Sequence, residues 1–239
     1  MKQDILKNLT DEVNMQEDRI VIGADTGAHV HYVVGNKKGL FYYGESDGYD
    51  DIERLLNRWP RSIVVFDQGG DLIAPRKLRE KYRGRVFLCH YRQDRKTMEI
   101  IRWGSGEEDG NVLVDRNRML ELLIGEFKDK RIPLQGKEAD WYDYWLHWNN
   151  IYRTEEEDAL GVMRRKWERS DADHFVHATL YWRVGMDKFG QGGSGIVTGF
   201  ESGLNVRTGV EVSPSGRIPV NPRLLQMPES NKESDWRNV

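Results

Sequence analysis

The sequence predicts an α/β fold in which one mixed sheet is flanked by helices, and two patterns carry this prediction. Three apolar runs at residues 19–27, 29–39 and 39–46 are separated by short glycine-containing breaks, which is typical of antiparallel neighbours. A helix, strand, helix, strand series follows over residues 47–91, and such a series implies right-handed crossovers and parallel pairing. We therefore expect the strand order 3-2-1-4-5, with the second strand antiparallel.

The first helix of this series is predicted over residues 47–60. Its apolar stripe contains Ile52, Leu55, Leu56 and Trp59. Asp50 or Asp51 is placed to cap it, and Pro60 ends it. The second helix, over residues 74–82, has Pro75 in its first turn. The strands at residues 61–71 and 85–91 are continuous apolar runs, as expected for strands covered on both faces.

The second half of the chain adds two hairpins and three helices. Residues 98–116 predict a hairpin with a polar tip, and residues 117–130 predict an amphipathic helix. Residues 151–169 predict a second hairpin that turns near residues 160–161, with one acidic and one basic arm. This hairpin is either solvated or a DNA-contacting arm. Residues 170–185 predict the last helix.

The remaining helix, over residues 139–152, is rich in aromatic residues. Trp141, Tyr144, Trp145 and Trp148 recur at helical spacing. They form either an aromatic core stripe or a surface on which bases stack.

Composition excludes several classes of protein. The formal net charge is -3, so nothing global points to nucleic acid, although a local basic face remains compatible with it. No apolar run approaches the roughly 20 residues that span a membrane, and the polar start is no signal peptide, so we expect no membrane partner. Cys89 is the single cysteine, which fits a reducing cytosol.

We expect three regions along the chain. Residues 1–18 are interpreted as a linker or a short helix before the domain, residues 19–187 as the domain, and residues 188–239 as a flexible tail. The tail is rich in glycine and contains four of the seven prolines, a composition typical of linkers and of segments ordered by partners.

Carboxylates interrupt the apolar segments at three places. Asp25 ends the first strand, Asp67 ends the fourth, and Asp171 and Asp173 open the last helix beside His174. Strands one and four are parallel neighbours in the expected order, so Asp25 and Asp67 meet at one sheet edge. The last helix could bring Asp173 and His174 to the same edge.

Crowded carboxylates raise each other's pKa unless a cation neutralises them. Hard oxygen ligands suit Mg²⁺ or Mn²⁺, and two such ions form the clamp used for phosphodiester hydrolysis. Each aspartate taken singly could instead form a turn or cap a helix. Asp71 is either a more distant support for the site or a helix cap, and His177 is interpreted as a packed or hydrogen-bonded histidine.

This arrangement resembles the RNase H-like fold and, within it, the C-terminal nuclease domain of the bacteriophage terminase large subunit. The residues that carry the resemblance are GADTG at 23–27, VVFDQGGD at 64–71 and SDADHFVHATLYW at 170–182. The last segment is the most specific, since sugar kinases carry strings similar to GADTG. The resemblance covers about residues 19–184.

The resemblance implies a metal-dependent endonuclease that cuts concatemeric double-stranded viral DNA during genome packaging. Asp25 and Asp67 match the first two metal-binding aspartates of the family. The family places an acidic residue or a histidine at the helix start, so Asp173 and His174 are both candidates for the third metal ligand. We favour Asp173 slightly, because a carboxylate neutralises a metal pair better than an imidazole does. His174 could bind a second metal only as neutral imidazole.

The chain departs from a whole large terminase in one respect, because it contains no G-x-x-x-x-G-K-[ST] phosphate loop. We therefore expect an excised nuclease domain whose Met1 lies in an interdomain linker. The resemblance implies the cytoplasm of a bacterial host as its location. It implies as partners the missing ATPase domain, the small terminase subunit, and the portal or procapsid through the tail.

DNA contacts would be made mainly to phosphates. The candidate residues are two basic trios, one on the helix after the fourth strand and one on the second hairpin: Arg76, Lys77, Arg79, Arg164, Arg165 and Lys166. A solvated basic surface is the alternative for each trio. Two further functions stay open, a non-catalytic docking module of the packaging motor and an RNase H-like resolvase or recombinase.

Overall fold

A nine-stranded sheet runs through the computed structural model, which describes residues 1–11, 19–69, 73–92, 99–157, 161 and 163–190. Its strands, in chain order, are β1 (Leu9–Thr10), β2 (Val21–Thr26), β3 (Val30–Asn36), β4 (Gly39–Ser46), β5 (Ile63–Asp67), β6 (Val86–Tyr91), β7 (Ile101–Trp103), β8 (Asn111–Val114) and β9 (Leu134–Gln135). Two further strands, β10 (Ile151–Glu157) and β11 (Met163–Arg169), form a separate hairpin.

The predicted core of the sheet is confirmed. Strands β4, β3, β2, β5 and β6 lie side by side in that order, which is the expected 3-2-1-4-5. Strand β3 is antiparallel to both neighbours, while β2, β5 and β6 run parallel. The β7–β8 hairpin is also confirmed, and it extends the sheet because β8 pairs in parallel with β6.

The opposite edge of the sheet was not predicted. There β9 pairs in parallel with β4, and β1 pairs in parallel with β9. Each of these strands has two residues, which is too short for a period-two pattern to stand out in a sequence.

Six α-helices cover the sheet in the described parts of the chain. They are α1 (Lys2–Leu6), α2 (Asp50–Arg58), α3 (Ile73–Lys81), α4 (Arg116–Lys128), α5 (Tyr142–Asn149) and α6 (His174–Gly190). No described helix is both long enough and apolar enough to cross a bilayer.

The predicted cap of α2 is wrong. Tyr49 occupies the N-cap position and no side chain bonds to the free N–H groups of the first turn. Asp50 and Asp51 lie inside the helix, and the Asp51 carboxylate instead accepts a hydrogen bond of 3.1 Å from Tyr32 Oη and pairs with Arg54. Tyr32 and Arg54 therefore bind the Asp51 carboxylate, for which the sequence alone predicted a capping role.

Helix α6 crosses the sheet directly over β2, and glycines make this approach possible. A Cβ atom on Gly23 would lie 2.0 Å from the carbonyl oxygen of Ala178 and 2.2 Å from the amide nitrogen of Trp182. A Cβ atom on Gly185 would lie 2.4 Å from Val21 Cγ1. The contact is therefore closer than any larger residue at these positions allows, and it determines where α6 begins relative to the strand ends.

The aromatic helix belongs to the core, so the core interpretation is confirmed over the base-stacking one. Trp141, Tyr144, Trp145 and Trp148 are all buried. Trp148 packs edge-to-face on Phe127 of α4, with ring centroids 4.9 Å apart. These rings have no free face for a nucleic-acid base.

The start of the chain packs onto the same folded unit. Ile5 on α1 is fully buried, and the Asn8 side chain donates a 2.8 Å hydrogen bond to the carbonyl of Phe127. The packed structure therefore extends before the boundary predicted at residue 19, and the short-helix alternative describes residues 2–6. Residues 12–18 and the tail from residue 191 lie outside the described residues, as do residues 158–160 of the second hairpin's turn.

Candidate active site

Asp25 and Asp67 lie side by side at the carboxyl ends of two parallel strands. The β2–β5 ladder pairs Ala24 with Phe66, so the two aspartates are the next residue on each strand. Neighbouring strands are about 4.8 Å apart, which brings both carboxylates to one edge of the sheet. Asp25 is buried and Asp67 is half-buried. This is the juxtaposition that the strand order predicted.

His174 reaches the same edge because α6 begins directly above it. Asp25 follows Gly23 by two residues and so faces the same side of the sheet, towards α6. The His174 Nδ1 atom lies 2.8 Å from Asp25 Oδ2. The hydrogen bond to Asp25 raises the pKa of His174 above its usual value, against the opposing effect of burial. The contact with Asp25 thus favours the protonated, positively charged imidazole.

The Asp67 carboxyl lacks a comparable counter-charge. Burial raises its pKa, with a further increase from the charge of Asp25, while the backbone N–H of Gly69 and the Tyr181 hydroxyl act in the opposite direction. Among the described residues, neither Asp25 nor Asp67 forms a salt bridge with a lysine or arginine. The pair therefore presents negative charge that a cation would neutralise.

Asp173, by contrast, is fully engaged with cationic and polar groups. Its Oδ1 accepts a 2.9 Å hydrogen bond from Arg169, and its Oδ2 lies 3.1 Å from His177 Nε2. His177 Nδ1 in turn lies 2.6 Å from the Tyr91 hydroxyl. Burial opposes ionisation of Asp173, but the bonds and charges of His177 and Arg169 outweigh it and hold its pKa far below the usual range. The carboxylate would have to exchange these partners to bind a metal.

A residue that sequence reasoning missed lies behind His174. His31 is the cross-strand partner of Asp25, and its ring stacks on that of His174 with centroids 4.3 Å apart. Burial lowers the pKa of His31 to about 4, with smaller effects of the same sign from His174 and His147. His31 is therefore neutral at physiological pH. Its register opposite Asp25 in the predicted antiparallel pair was the signal that could have identified it.

Asp25, Asp67, Asp173 and His174 line one cleft of about 570 Å³. The acidic strand ends form its floor and the start of α6 forms one wall, while β11 of the hairpin contributes Trp167, Glu168 and Arg169. Arg116, the first residue of α4, completes the lining on the same side. The second hairpin is thus confirmed, and its base forms part of the cleft.

The donor set at the strand ends fits a hard divalent cation, although it is not arranged as a formed metal site. No three His, Cys, Asp or Glu side chains in the described ranges are grouped tightly enough to hold an ion as they stand. Two adjacent carboxylates are nevertheless the oxygen ligands that Mg²⁺ and Mn²⁺ prefer, and the neighbouring imidazole could add a nitrogen. Asp25, Asp67 and His174 are the residues positioned for it.

The other predicted acids lie elsewhere. Asp171 is exposed, and its Oδ1 accepts a 2.8 Å hydrogen bond from the amide N–H of Ala172. This hydrogen bond joins two adjacent residues, and Asp171 does not line the cleft. Asp71 lies outside the described residues.

The residues of the two predicted basic trios differ in exposure and in whether they already have a hydrogen-bonding or acidic partner. Arg76 and Lys77 are exposed on α3, whereas Arg79 donates a 3.0 Å hydrogen bond to the Asn111 side chain on β8. On the hairpin, two basic residues already have acidic partners: Arg165 pairs with Glu155 at 3.2 Å, and Lys166 with Glu168 at 3.1 Å. The Arg164 side chain lies outside the described part of the structure.

Comparison with known proteins identifies the fold. No protein-family model matches the chain, and no curated protein sequence matches it significantly. Among solved structures, a mutant nuclease domain of the large terminase subunit gp2 of bacterial virus Sf6, with manganese, gives a TM-score of 0.53 at 10% identity. The match covers 75% of this chain and 96% of that one.

A second structure, the large terminase nuclease from thermophilic phage G20c with bound magnesium, gives a TM-score of 0.46 at 13% identity, over 72% of this chain and 84% of that one. The likeness to the Sf6 domain shows that this chain has the fold of a large-terminase nuclease domain. The predicted RNase H-like fold class, and the resemblance drawn from the sequence, are confirmed at the level of fold.

Proposed function

We propose that the chain is a divalent-metal-dependent endonuclease that cleaves double-stranded viral DNA during genome packaging. One observation carries the proposal. Asp25 and Asp67 end adjacent parallel strands in an open cleft, beneath the first residue of α6, and no lysine or arginine of the described residues pairs with either. The fold is that of nuclease domains, and the Sf6 and G20c structures contain manganese and magnesium. Both support the proposal.

The strand-end carboxylates would hold the cations. Asp25 and Asp67 supply oxygen ligands, and His174 supplies a nitrogen once its ring has lost the proton that Asp25 stabilises. Asp173 was predicted as the third acidic ligand. In our proposal its first role is to hold Arg169 and His177 in place, and His174 is favoured over it as the third ligand.

Two Mg²⁺ or Mn²⁺ ions, when bound, would supply positive charge to the scissile phosphodiester and to the attacking water. The residues of the chain fix where this happens. The Gly23 contact holds α6 against β2, so His174 and Asp25 keep one separation. His31 packs against the His174 ring and limits its rotation.

The biological setting follows from the same proposal. The nuclease would act in the bacterial host cytoplasm, beside a terminase ATPase domain and with the small subunit. Residues 188–239 would dock on the portal or procapsid.

Cleavage of supercoiled plasmid tests the proposal. We would compare wild type, Asp67→Asn and Asp171→Asn in EDTA, Mg²⁺ and Mn²⁺. Asp171→Asn makes the same change at an exposed aspartate outside the cleft, and it controls for the loss of one charge. We expect nicked and then linear DNA from wild type and Asp171→Asn only with a divalent metal, and none from Asp67→Asn. Intact plasmid in every lane would refute the nuclease function and favour a docking module.

A further inference from the structure

The cleft contains four carboxylates, and two of them are neutralised within the chain. Glu168 pairs with Lys166 at 3.1 Å, and Asp173 pairs with Arg169 at 2.9 Å. The other two, Asp25 and Asp67, are the proposed cation ligands. A phosphodiester that enters the metal-free cleft therefore needs positive charge beyond the internal pairs, because the carboxylates of Asp25 and Asp67 would repel it.

Arg116 provides such a charge. Its guanidinium lines the cleft with about a quarter of the side chain exposed. Nη1 donates a 3.0 Å hydrogen bond to the carbonyl of Trp167, which fixes the group in place. Nη2 lies 3.5 Å from His177 Nε2 and 4.0 Å from Asp173 Oδ2.

Nη2 forms an ion pair with Asp173 Oδ2 at 4.0 Å, but neither Asp173 nor His177 accepts a short hydrogen bond from it. His177 Nε2 lies 3.1 Å from an Asp173 oxygen, and an ionised carboxylate only accepts hydrogen bonds. Nε2 therefore carries a hydrogen, whichever state the rest of the ring is in, and cannot accept one from Arg116. The Asp173 oxygen is already bonded to His177, and 4.0 Å is beyond hydrogen-bond distance. Nη2 thus makes no short bond among the described residues.

We propose that Arg116 binds a backbone phosphate of the DNA in the cleft, beside the carboxylates of Asp25 and Asp67. The proposal rests on the proposed function and names the residue that holds its substrate. A guanidinium that is fixed through Nη1 and lines an open cleft suits the fork geometry of phosphate recognition. Partial burial makes the contact stronger than one at an open surface.

Equilibrium DNA binding tests this inference without requiring cleavage. We would measure fluorescence anisotropy of a labelled duplex oligonucleotide in EDTA and in Ca²⁺, over a series of salt concentrations. The variants are Arg116→Gln, Arg116→Lys and a matched control, Arg131→Gln. Arg131 follows the other end of α4, about 20 Å along the helix axis, and pairs with Asp129.

We expect Arg116→Gln to weaken binding about 5- to 20-fold and to reduce the slope of log K against log salt by about 0.9, the contribution of one phosphate contact. Arg116→Lys should retain most of the slope, because it retains the charge, but bind less tightly because it lacks the fork. Arg131→Gln should bind like wild type. Melting temperatures of all three variants identify any loss of binding that is due to unfolding.

The outcomes separate this inference from the nuclease proposal. Wild-type affinity and slope in Arg116→Gln would overturn the phosphate site even if the protein cleaves plasmid. A loss of affinity in Arg116→Lys equal to that in Arg116→Gln, with an unchanged slope in both, would also overturn it and assign Arg116 to the support of Trp167. Binding that depends on Arg116 in a protein that cuts no DNA would support the phosphate site and refute only the nuclease function.

Discussion

The His174 Nδ1 atom lies 2.8 Å from Asp25 Oδ2, and this contact joins the start of α6 to the end of the central strand. Both residues are placed by packing, because Gly23 lets the helix backbone approach β2 at a distance that a side chain would prevent. The hydrogen bond to Asp25 raises the pKa of His174, so this contact favours the protonated ring. A bound cation would take the place of that positive charge.

We expect Asp67→Asn to stabilise the metal-free protein and to abolish its stabilisation by metal. The pKa of Asp67 is raised by burial and by the charge of Asp25. At neutral pH the ionised carboxylate therefore costs more free energy in the folded state than in the unfolded state, and a neutral amide removes this cost. The melting temperature in EDTA should rise by about 1–4 °C. In wild type, Mn²⁺ should raise it further in proportion to occupancy.

Differential scanning fluorimetry with a Mn²⁺ titration measures both effects, and Asp171→Asn is the control. A lower melting temperature for Asp67→Asn in EDTA would contradict the free-energy cost assigned to the buried carboxylate. A shift with Mn²⁺ equal to that of wild type would contradict the assignment of Asp67 as a cation ligand.

Asp173→Asn should behave in the opposite way. The Asp173 side chain is only 2% exposed and is bonded to Arg169 and His177. Loss of the charge weakens the hydrogen bonds to buried His177 and to Arg169, whose side chain is 61% exposed and can be solvated. We therefore expect the fold to be destabilised by about 1–2 kcal/mol. Urea denaturation measures this loss. The metal affinity of the folded variant should fall much less than that of Asp25→Asn, and an equal fall in both would make Asp173 a ligand, as the sequence predicted.

The central sheet and its two strand-end aspartates were predictable because they follow from local patterns. Apolar runs with glycine breaks identified the strands, and the helix between strands made β5 parallel to its neighbour. Asp25 and Asp67 then had to meet, whatever the side chains around them. The hairpin β10–β11 was also predictable locally, from an acidic arm and a basic arm on either side of a turn.

The partners of the site were less predictable because they come from residues with no pattern of their own. Arg116 begins an ordinary amphipathic helix, and its place in the cleft depends on how α4 packs against the hairpin through the Trp167 carbonyl. His31 lies in an apolar strand, and the strand pattern alone does not predict that its ring stacks on His174. Such tertiary contacts also explain why Asp51 was misjudged as a cap.

Gly23→Ala should strongly destabilise the protein. The added methyl group would lie 2.0 Å from a backbone oxygen of α6, and backbone atoms cannot rotate away, so α6 must shift off β2 at a cost of about 3 kcal/mol or more. Gly125→Ala is the matched control, because this glycine lies inside α4 with no atom within 4 Å of the new methyl. It should stabilise by about 1 kcal/mol through helix propensity. Chemical denaturation of both variants checks the pair, and equal stabilities would show that the α6–β2 contact is looser than described.

The basic trios should differ in their effect on DNA binding. Arg76 and Lys77 are exposed, and no acidic side chain pairs with either in the described structure, whereas Arg165 and Lys166 already pair with Glu155 and Glu168. A phosphate bound by the hairpin must compete with those carboxylates, so its net gain is smaller. We expect Arg76→Gln with Lys77→Gln to reduce the salt slope by about 1.8, and Arg165→Gln with Lys166→Gln to reduce it by clearly less. Anisotropy titrations over the same salt range compare them, and a larger reduction for the hairpin pair would make the basic arm, rather than α3, the main DNA-binding element.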